Sequence, residues 1–240
     1  MHNAAVDAPT PLALLTRVLA LAAALALAVP AGAQRAPSPR EVAAYTGLFA
    51  AAHAGDAAAI DRQVAAGAPV DARDDHDRTP LHVAAYAGRA EAMRALVRAG
   101  ANPNALERDR YDIVTIAAVA NDVATLALAL GLGASAKNVT SRYDGTALIA
   151  AAHLGHVEVV RLLIRAGAPL DHVNNLGWTA LIESIVLGDG GARHTATLQA
   201  LVDAGANVHL ADRGGNSPLT LARRHGYREM AAILERAGAR

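Results

Sequence analysis

Four acidic residues within seven positions, Asp71, Asp74, Asp75 and Asp77, and two histidines three apart, His153 and His156, are the groups of this chain that could hold a cation. A calcium loop needs alternating carboxylates, a glycine at the turn and a closing bidentate glutamate, and the run DARDDHD has neither of the last two. It reads as a solvated hairpin tip. Two imidazoles do not complete a zinc site, and no third ligand is spaced to join them, so no metal is expected. Ser141, Ser184 and Ser217 occur outside any Gly-x-Ser-x-Gly elbow. The absence of cysteine from the 240 residues removes thiolate catalysis, disulfides, cysteine-bearing metal centres and lipid attachment through a cysteine thioether. Gly188-Asp189-Gly190-Gly191-Ala192-Arg193-His194 is glycine-rich but lacks the Gly-Lys-Ser/Thr ending of a phosphate cradle, and no cofactor is expected. What remains is Glu183, Asp189 and His194, from which an acid–base or small-ligand site could be assembled.

The elements that would position these groups recur. Gly-Ala pairs at Gly67, Gly100, Gly133, Gly167, Gly205 and Gly238 follow one another at steps of 33, 33, 34, 38 and 33 residues, each after an apolar run. A period of this length marks stacked repeats, in which no unit can bury its own hydrophobic face and neighbours supply the missing surface. The best-formed unit is TPLHVAAYAGRAEAMRALVRAGA, from Thr79 to Ala101. Thr79 is placed to cap a helix, Pro80 suits its first position, and Leu81, Ala84 and Ala85 make its buried stripe. Gly88 breaks that helix, Met93, Leu96 and Val97 line a second, and Gly100 ends it in the left-handed conformation.

This unit resembles an ankyrin repeat, and the same frame lays over about 200 residues. One core position is filled by Leu48, Leu81, Val114, Leu148, Leu181 and Leu219, and the cap position by Thr46, Thr79, Asp112, Thr146, Thr179 and Ser217. The resemblance implies an all-α solenoid of about six helix-turn-helix repeats joined by β-hairpin-like loops, spanning approximately 41–73, 74–106, 107–140, 141–173, 174–211 and 212–240. The end repeats carry polar residues such as Arg62, Gln63, Arg228 and Glu235 where inner ones are apolar, as terminal units must. His156 falls where the family commonly uses a histidine for hydrogen bonding.

Family members usually bind other proteins through the hairpin tips and the open side of the first helix. Carried over by position, that face comprises Tyr45, His53, Asp75, His76, Arg78, Tyr86, Arg108, Tyr111, Arg142, Tyr143, His153, Leu154, Leu176, Trp178, Leu187 and Arg224. Five of the seven aromatics fall among them, and Tyr, Trp and Arg are the residue types that dominate interfaces. The fifth repeat departs most. From Thr179 to Gly205 there are 26 residues, against 21 from Thr79 to Gly100, so the surplus around 188–194 predicts a flexible link. Glu183-Ser184 also stands where other repeats have small apolar residues. A carboxylate there is costly unless paired, and structural pairing is the favoured outcome.

Residues 1–33 differ from the rest. Val18 to Val29 is purely apolar and is followed by Pro30 and Ala31-Gly32-Ala33, the grammar of a signal peptide cleaved before Gln34. Twelve residues make a helix of roughly 18 Å, short of a hydrocarbon core of roughly 30 Å, so no stable membrane anchor is expected after cleavage. QRAPSPR, at 34–40, reads as a disordered leader. Twenty-two basic residues balance 22 acidic ones, which leaves no electrostatic footprint for nucleic acid. The expectation is a monomeric, non-catalytic, periplasmic or secreted protein that binds a protein partner. Its narrower variant is an inhibitor or immunity protein for a toxic enzyme, and a small-ligand site at the fifth-repeat loop is the alternative.

Overall fold

The computed structural model describes residues 34–240, and the repeats form the unit Ala36–Arg240. The signal peptide expected over 1–33 lies outside the described residues. A short helix, α1 (Pro39–Ala44), precedes six helix pairs: α2 (Gly47–Ala54) with α3 (Ala57–Ala65), α4 (Pro80–Tyr86) with α5 (Ala90–Arg98), and α6 (Ile113–Val119) with α7 (Val123–Gly131). They continue with α8 (Ala147–His153) and α9 (Val157–Arg165), α10 (Ala180–Val186) and α11 (Ala192–Asp203), and α12 (Pro218–Arg224) and α13 (Arg228–Arg236). The first helices of successive pairs pack in one row and the second helices in another, giving two helical layers. Between α7 and α8 the hairpin closes as a true ladder, β1 (Val139–Thr140) antiparallel to β2 (Gly145–Thr146), with Val139 opposite Thr146.

Two small residues on each inner helix let the row close up. Ala51-Ala52, Ala84-Ala85, Ala117-Ala118 and Ala151-Ala152 are all buried, and the next repeat places Ser184-Ile185 in the same slot. Ser184 fits because its hydroxyl donates to the Leu181 carbonyl at 2.8 Å. That bond gives the serine a structural role and leaves it no proton to lose in catalysis. Outer helices contribute the larger stripe, including Ile60, Met93, Leu96, Leu126, Val160, Leu163, Leu198 and Leu201, all fully buried.

Five of the six expected caps form: Thr79, Asp112, Thr146, Thr179 and Ser217 each accept a bond from the amide three residues on. Thr46 makes no such bond. Gly47 follows it at φ +54°, outside the helical region, so the first-turn amides do not converge on the Thr46 hydroxyl.

The leader expected to be disordered over 34–40 ends inside α1. Ser38 and Glu41 form a reciprocal capping box, with Ser38 N donating to Glu41 Oε2 at 2.8 Å and Glu41 N to Ser38 Oγ at 3.3 Å, and Pro39 occupies the first turn. The link expected to be flexible over 188–194 is also corrected, because α11 starts at Ala192 and has twelve residues where the other outer helices have nine. Much of the surplus became helix. What is left of the link is tied down: Tyr227 Oη donates to the Gly188 carbonyl at 2.9 Å, and a Cβ at Gly190 would lie 2.3 Å from the Tyr227 ring.

Replacing Leu148 by Ala should therefore cost about 2–5 kcal/mol in urea unfolding, since its cavity opens between two repeats. Thr79→Ala should cost about 1 kcal/mol, and Thr46→Ala should fall within about 0.5 kcal/mol of the parent because no cap bond is lost.

Candidate functional site

Each hairpin tip is held by one polar residue five positions before the helix cap. Asp74 Oδ1 accepts from His76 N and Arg78 N, both at 2.9 Å; Asn174 Oδ1 accepts from Leu176 N and Trp178 N, both at 3.0 Å; Asp212 Oδ1 accepts from Gly214 N and Asn216 N at 2.9 and 2.8 Å. Glu107 does related work in the third repeat, accepting from Tyr111 N at 3.0 Å. Asp74 is thus a folding device and not a candidate calcium ligand. Among the described residues no three His, Asp or Glu side chains converge as metal ligands would.

At the first of these tips a guanidinium is buried between two carboxylates, which engage its Nε and Nη2 while its buried Nη1 has no hydrogen-bond partner. Arg78 is only 1% exposed; its Nε donates to Asp74 Oδ2 at 2.8 Å and its Nη2 donates to Glu41 on α1. Burial opposes the charge on Glu41, but the Ser38 bonds and then Arg78 outweigh it and hold this carboxyl at about 2. The Asp74 carboxyl is also held low against its burial, by Arg78 and by the hairpin amides. His82 is a second buried link, and nothing in its spacing marks it as one. It shares Thr79's capping box and its Nε2 faces the carbonyls of Ala105 and Tyr111 at 3.0 and 3.3 Å, tying the second repeat to the third. Burial, reinforced by Arg73, pushes its ring down to about 4, so it is neutral at physiological pH.

The fifth repeat answers its buried charge differently. Glu183 lies on α10, in the register occupied by Val83, Ile116, Ala150 and Leu221 elsewhere, and is 5% exposed. Asn174 Nδ2 donates to its Oε1 at 2.8 Å, while Oε2 stands 3.6 Å from His153 Nδ1 on α8. No arginine reaches it in the way two carboxylates reach Arg78. Desolvation consequently raises its carboxyl to about 7, against the lowering effect of the Asn174 bond. His153 is pushed the other way, below its usual value, by burial and by His194.

Asp189 and His194, expected as partners of Glu183 in a small-ligand site, are occupied otherwise. His194 Nε2 faces the His153 carbonyl at 2.9 Å and its Nδ1 lies 2.8 Å from Asp189 Oδ1, which also accepts from Gly191 N at 2.9 Å. They lock the longer α11 onto the preceding repeat. His156, the other half of the histidine pair, faces the Ala118 carbonyl at 3.0 Å and turns away from His153's neighbours.

The sixteen residues expected on the binding face divide into three groups. Arg78 and Tyr111 are removed from it: Arg78 is consumed by its two carboxylates, and Tyr111, 8% exposed, belongs to the core. Tyr45, His53, His76, Tyr86, Leu154 and Trp178 are half-buried. Tyr45 donates to Asp74 Oδ2 at 3.0 Å and stacks on Phe49, His76 Nε2 lies 3.2 Å from Glu41, and Tyr86 and Trp178 pack against the core. Asp75, Arg108, Arg142, Tyr143, His153, Leu176, Leu187 and Arg224 are exposed. Arg108 faces Asp77 at 3.4 Å, Arg142 faces Asp109 at 3.5 Å, and Arg224 donates to Asn216 Oδ1 at 2.7 Å. The aromatic signal is therefore weaker than its sequence count. It is replaced by an apolar group in repeats four and five: Tyr143, Leu176 and Leu187, at 41%, 39% and 42% exposure, with Val173 nearby in sequence.

These exposed residues are physically linked to Glu183. Asn175 N donates to the Tyr143 carbonyl at 2.9 Å, joining the two hairpin tips; Asn174 joins the second tip to Glu183; and Leu187 follows one turn on, its N–H donating to the Glu183 carbonyl at 3.1 Å.

A family model described as ankyrin repeats (3 copies) matches residues 31–107 and 114–212. The chain belongs to the ankyrin repeat family. It is 42% identical over 103 residues to the putative ankyrin repeat protein YahD of Escherichia coli K12, an alignment covering 42% of this chain and about half, 51%, of that protein. Among solved structures, an ankyrin repeat domain from Acinetobacter baumannii AYE is 43% identical with a TM-score of 0.75, over 80% of this chain and 98% of that one. The ankyrin repeat protein EF0377 is 30% identical with a TM-score of 0.72, at the same coverage of both chains. Ankyrin repeats are protein–protein interaction modules, and proteins of this family are generally non-catalytic.

Glu183 gives a pH test of this geometry. The folded protein holds its proton up to about 7 while an unfolded chain releases it near 4.5, so stability is highest below 4.5 and falls as pH rises through 7. Relative to Glu183→Gln, the parent should lose on the order of 3 kcal/mol between those limits in denaturant titrations. A difference profile that is flat or rises with pH would contradict this environment.

Proposed function

We propose that this chain is an exported, non-catalytic binding protein that receives a protein partner on the inner face of repeats four and five. The observation that carries the reading is the exposed apolar group Tyr143, Leu176 and Leu187, set on hairpins and helix ends that backbone bonds hold in place. Large apolar side chains left in water on a rigid frame gain most from being covered, and a protein surface can cover three of them together. Around them, cross-hairpin ion pairs such as Arg110–Asp144 at 3.0 Å and Arg142–Asp109 at 3.5 Å supply a polar rim of both signs.

A small-ligand or catalytic site at the fifth-repeat loop has less support. His194 and Asp189 are engaged with each other and with backbone, and the titratable group next to Glu183 is His153, at 3.6 Å. Export is favoured by the apolar run Val18–Val29 and the small residues that follow it. Among the described residues no helix is long and apolar enough to cross a membrane.

Affinity capture from a periplasmic extract, followed by mass spectrometry, should recover one protein partner. Changing Tyr143, Leu176 and Leu187 together to Ser should abolish that capture while leaving the melting temperature within a few degrees of the parent, because none of the three belongs to the core. Undiminished capture would reject this face. Residues 1–40 fused to alkaline phosphatase should give a cleaved, active enzyme in the periplasm, and activity confined to no compartment would reject export.

A further inference from the structure

The partner-binding face has a carboxylate set into its floor without a countercharge, and the inference here rests on that face being the binding surface. We propose that Glu183 is its recognition group: Oε2 pairs with an arginine or lysine of a partner protein segment whose apolar residues cover Leu176 and Leu187.

The geometry favours a basic side chain over other occupants. Oε1 is satisfied by Asn174, whose own carbonyl oxygen is committed to the hairpin amides of Leu176 and Trp178, so the carboxylate is fixed in place from below. Among the described residues the ion-pairing group within 4 Å of Oε2 is His153 Nδ1, at 3.6 Å, beyond a good hydrogen bond. The Glu183 side chain is 6% exposed, so an incoming group must bring its charge to the end of a slender side chain. Arginine and lysine carry their charge at the end of a long apolar stem and can do that while the stem packs on Leu187.

Among the described residues no arginine or lysine pairs with Glu183. Among the elements packed on α10, α8 offers His153. The outer helix α11 offers His194, which is bonded to the His153 carbonyl and Asp189, and α12 offers Arg224, bonded to Asn216, and Arg223, bonded to Glu235. The adjoining hairpins offer His172, bonded to the Asp144 carbonyl at 2.6 Å, and Arg213, whose side chain lies over Gly177, while α11 also carries the exposed Arg193; neither arginine forms an ion pair with Glu183. Of these only His153 approaches Glu183.

A buried carboxylate without a cation keeps its proton, and its rise to about 7 is the consequence. Bringing a cation to Oε2 favours the ionised form, so the complex holds fewer protons than the free protein. Affinity then rises with pH up to about 7 and is level above it, falling by up to tenfold per unit below. His153 titrates in a lower range, because burial and His194 depress it, which separates its contribution from that of Glu183.

The probe is a library of random peptides displayed on phage and selected on the immobilised full chain near pH 8. Selected peptides should share an Arg or Lys at fixed spacing from a large apolar residue. The best of them should bind about tenfold more weakly to Glu183→Gln, and about tenfold more weakly to the parent near pH 6 than near pH 8. Glu183→Gln should show no such pH dependence, while His153→Asn should retain it. Gln can still accept the Asn174 bond, and circular dichroism would confirm that this variant is folded. Peptides that lose binding on Leu176→Ala or Leu187→Ala yet show no basic residue, or whose pH dependence survives in Glu183→Gln, would overturn the role of Glu183 and leave the face standing. Peptides indifferent to Leu176 and Leu187, or a selection that yields none, would overturn both.

Discussion

Every feature of this molecule depends on one packing constraint: two adjacent helices of successive repeats must approach closely enough to share a single apolar seam. A helix pair of about thirty residues cannot exclude water from its own hydrophobic stripe, so the seam exists only between units. The alanine pairs at 51–52, 84–85, 117–118 and 151–152 set the separation, with side chains too small to hold the helices apart. Once that distance is fixed, the hairpins extend to one side in register. Arg73 Nη1 donating to the Leu106 carbonyl at 2.7 Å and Asn175 N donating to the Tyr143 carbonyl at 2.9 Å then become possible across successive tips. The face formed by the hairpin tips is thus a by-product of core spacing.

The chain meets the cost of buried charge in two ways. At Arg78 the guanidinium is enclosed by Asp74 and Glu41, and both carboxyls are held low. Glu41 reaches this position because α1 folds, which makes a helix of six residues the cover of the second repeat's hairpin. An arrangement of this kind is costly to break, since removing one partner strands the others. At Glu183 there is an amide donor and a distant histidine in place of a cation, and protonation substitutes for pairing. At Arg78 two carboxylates share one guanidinium, whereas Glu183, also buried, forms no pair with an arginine among the described residues.

Much of the fold was legible because it rests on local rules repeated six times. Thr-Pro at a helix start, paired alanines and a left-handed glycine after the second helix each have a physical cause within a few residues, and Gly100 at φ +97° and Thr79's cap bond are direct outcomes. The misplacements have equally specific causes. Thr46 looked like the other caps, but Gly47 turns the chain left-handed behind it. Residues 192–194 looked like loop because glycines precede them, yet Asp189 and His194 together start the helix early. Tyr111 and Arg78 stand one residue before the cap, where Tyr45, Trp178 and Asn216 are half-buried in other repeats. Whether such a side chain lies outward or folds under its neighbour depends on a contact more than thirty positions away, as between Arg78 and Glu41, and spacing alone does not contain that contact.

Glu183 illustrates the remaining part. Its departure from the repeat pattern is visible in the sequence, and so is the cost of burying it, from which structural pairing, with nearby amides or an arginine, is expected over a functional site. The structure supplies Asn174, a residue whose first task is to hold the hairpin of Leu176 and Trp178. One side chain thereby couples the shape of the tip to the position of the carboxylate. If the tip moved when a partner covered Leu176, Asn174 would carry that movement to Oε1. The hairpin tip and the carboxylate are thereby joined through one side chain, at a position where four other repeats use Val83, Ile116, Ala150 and Leu221.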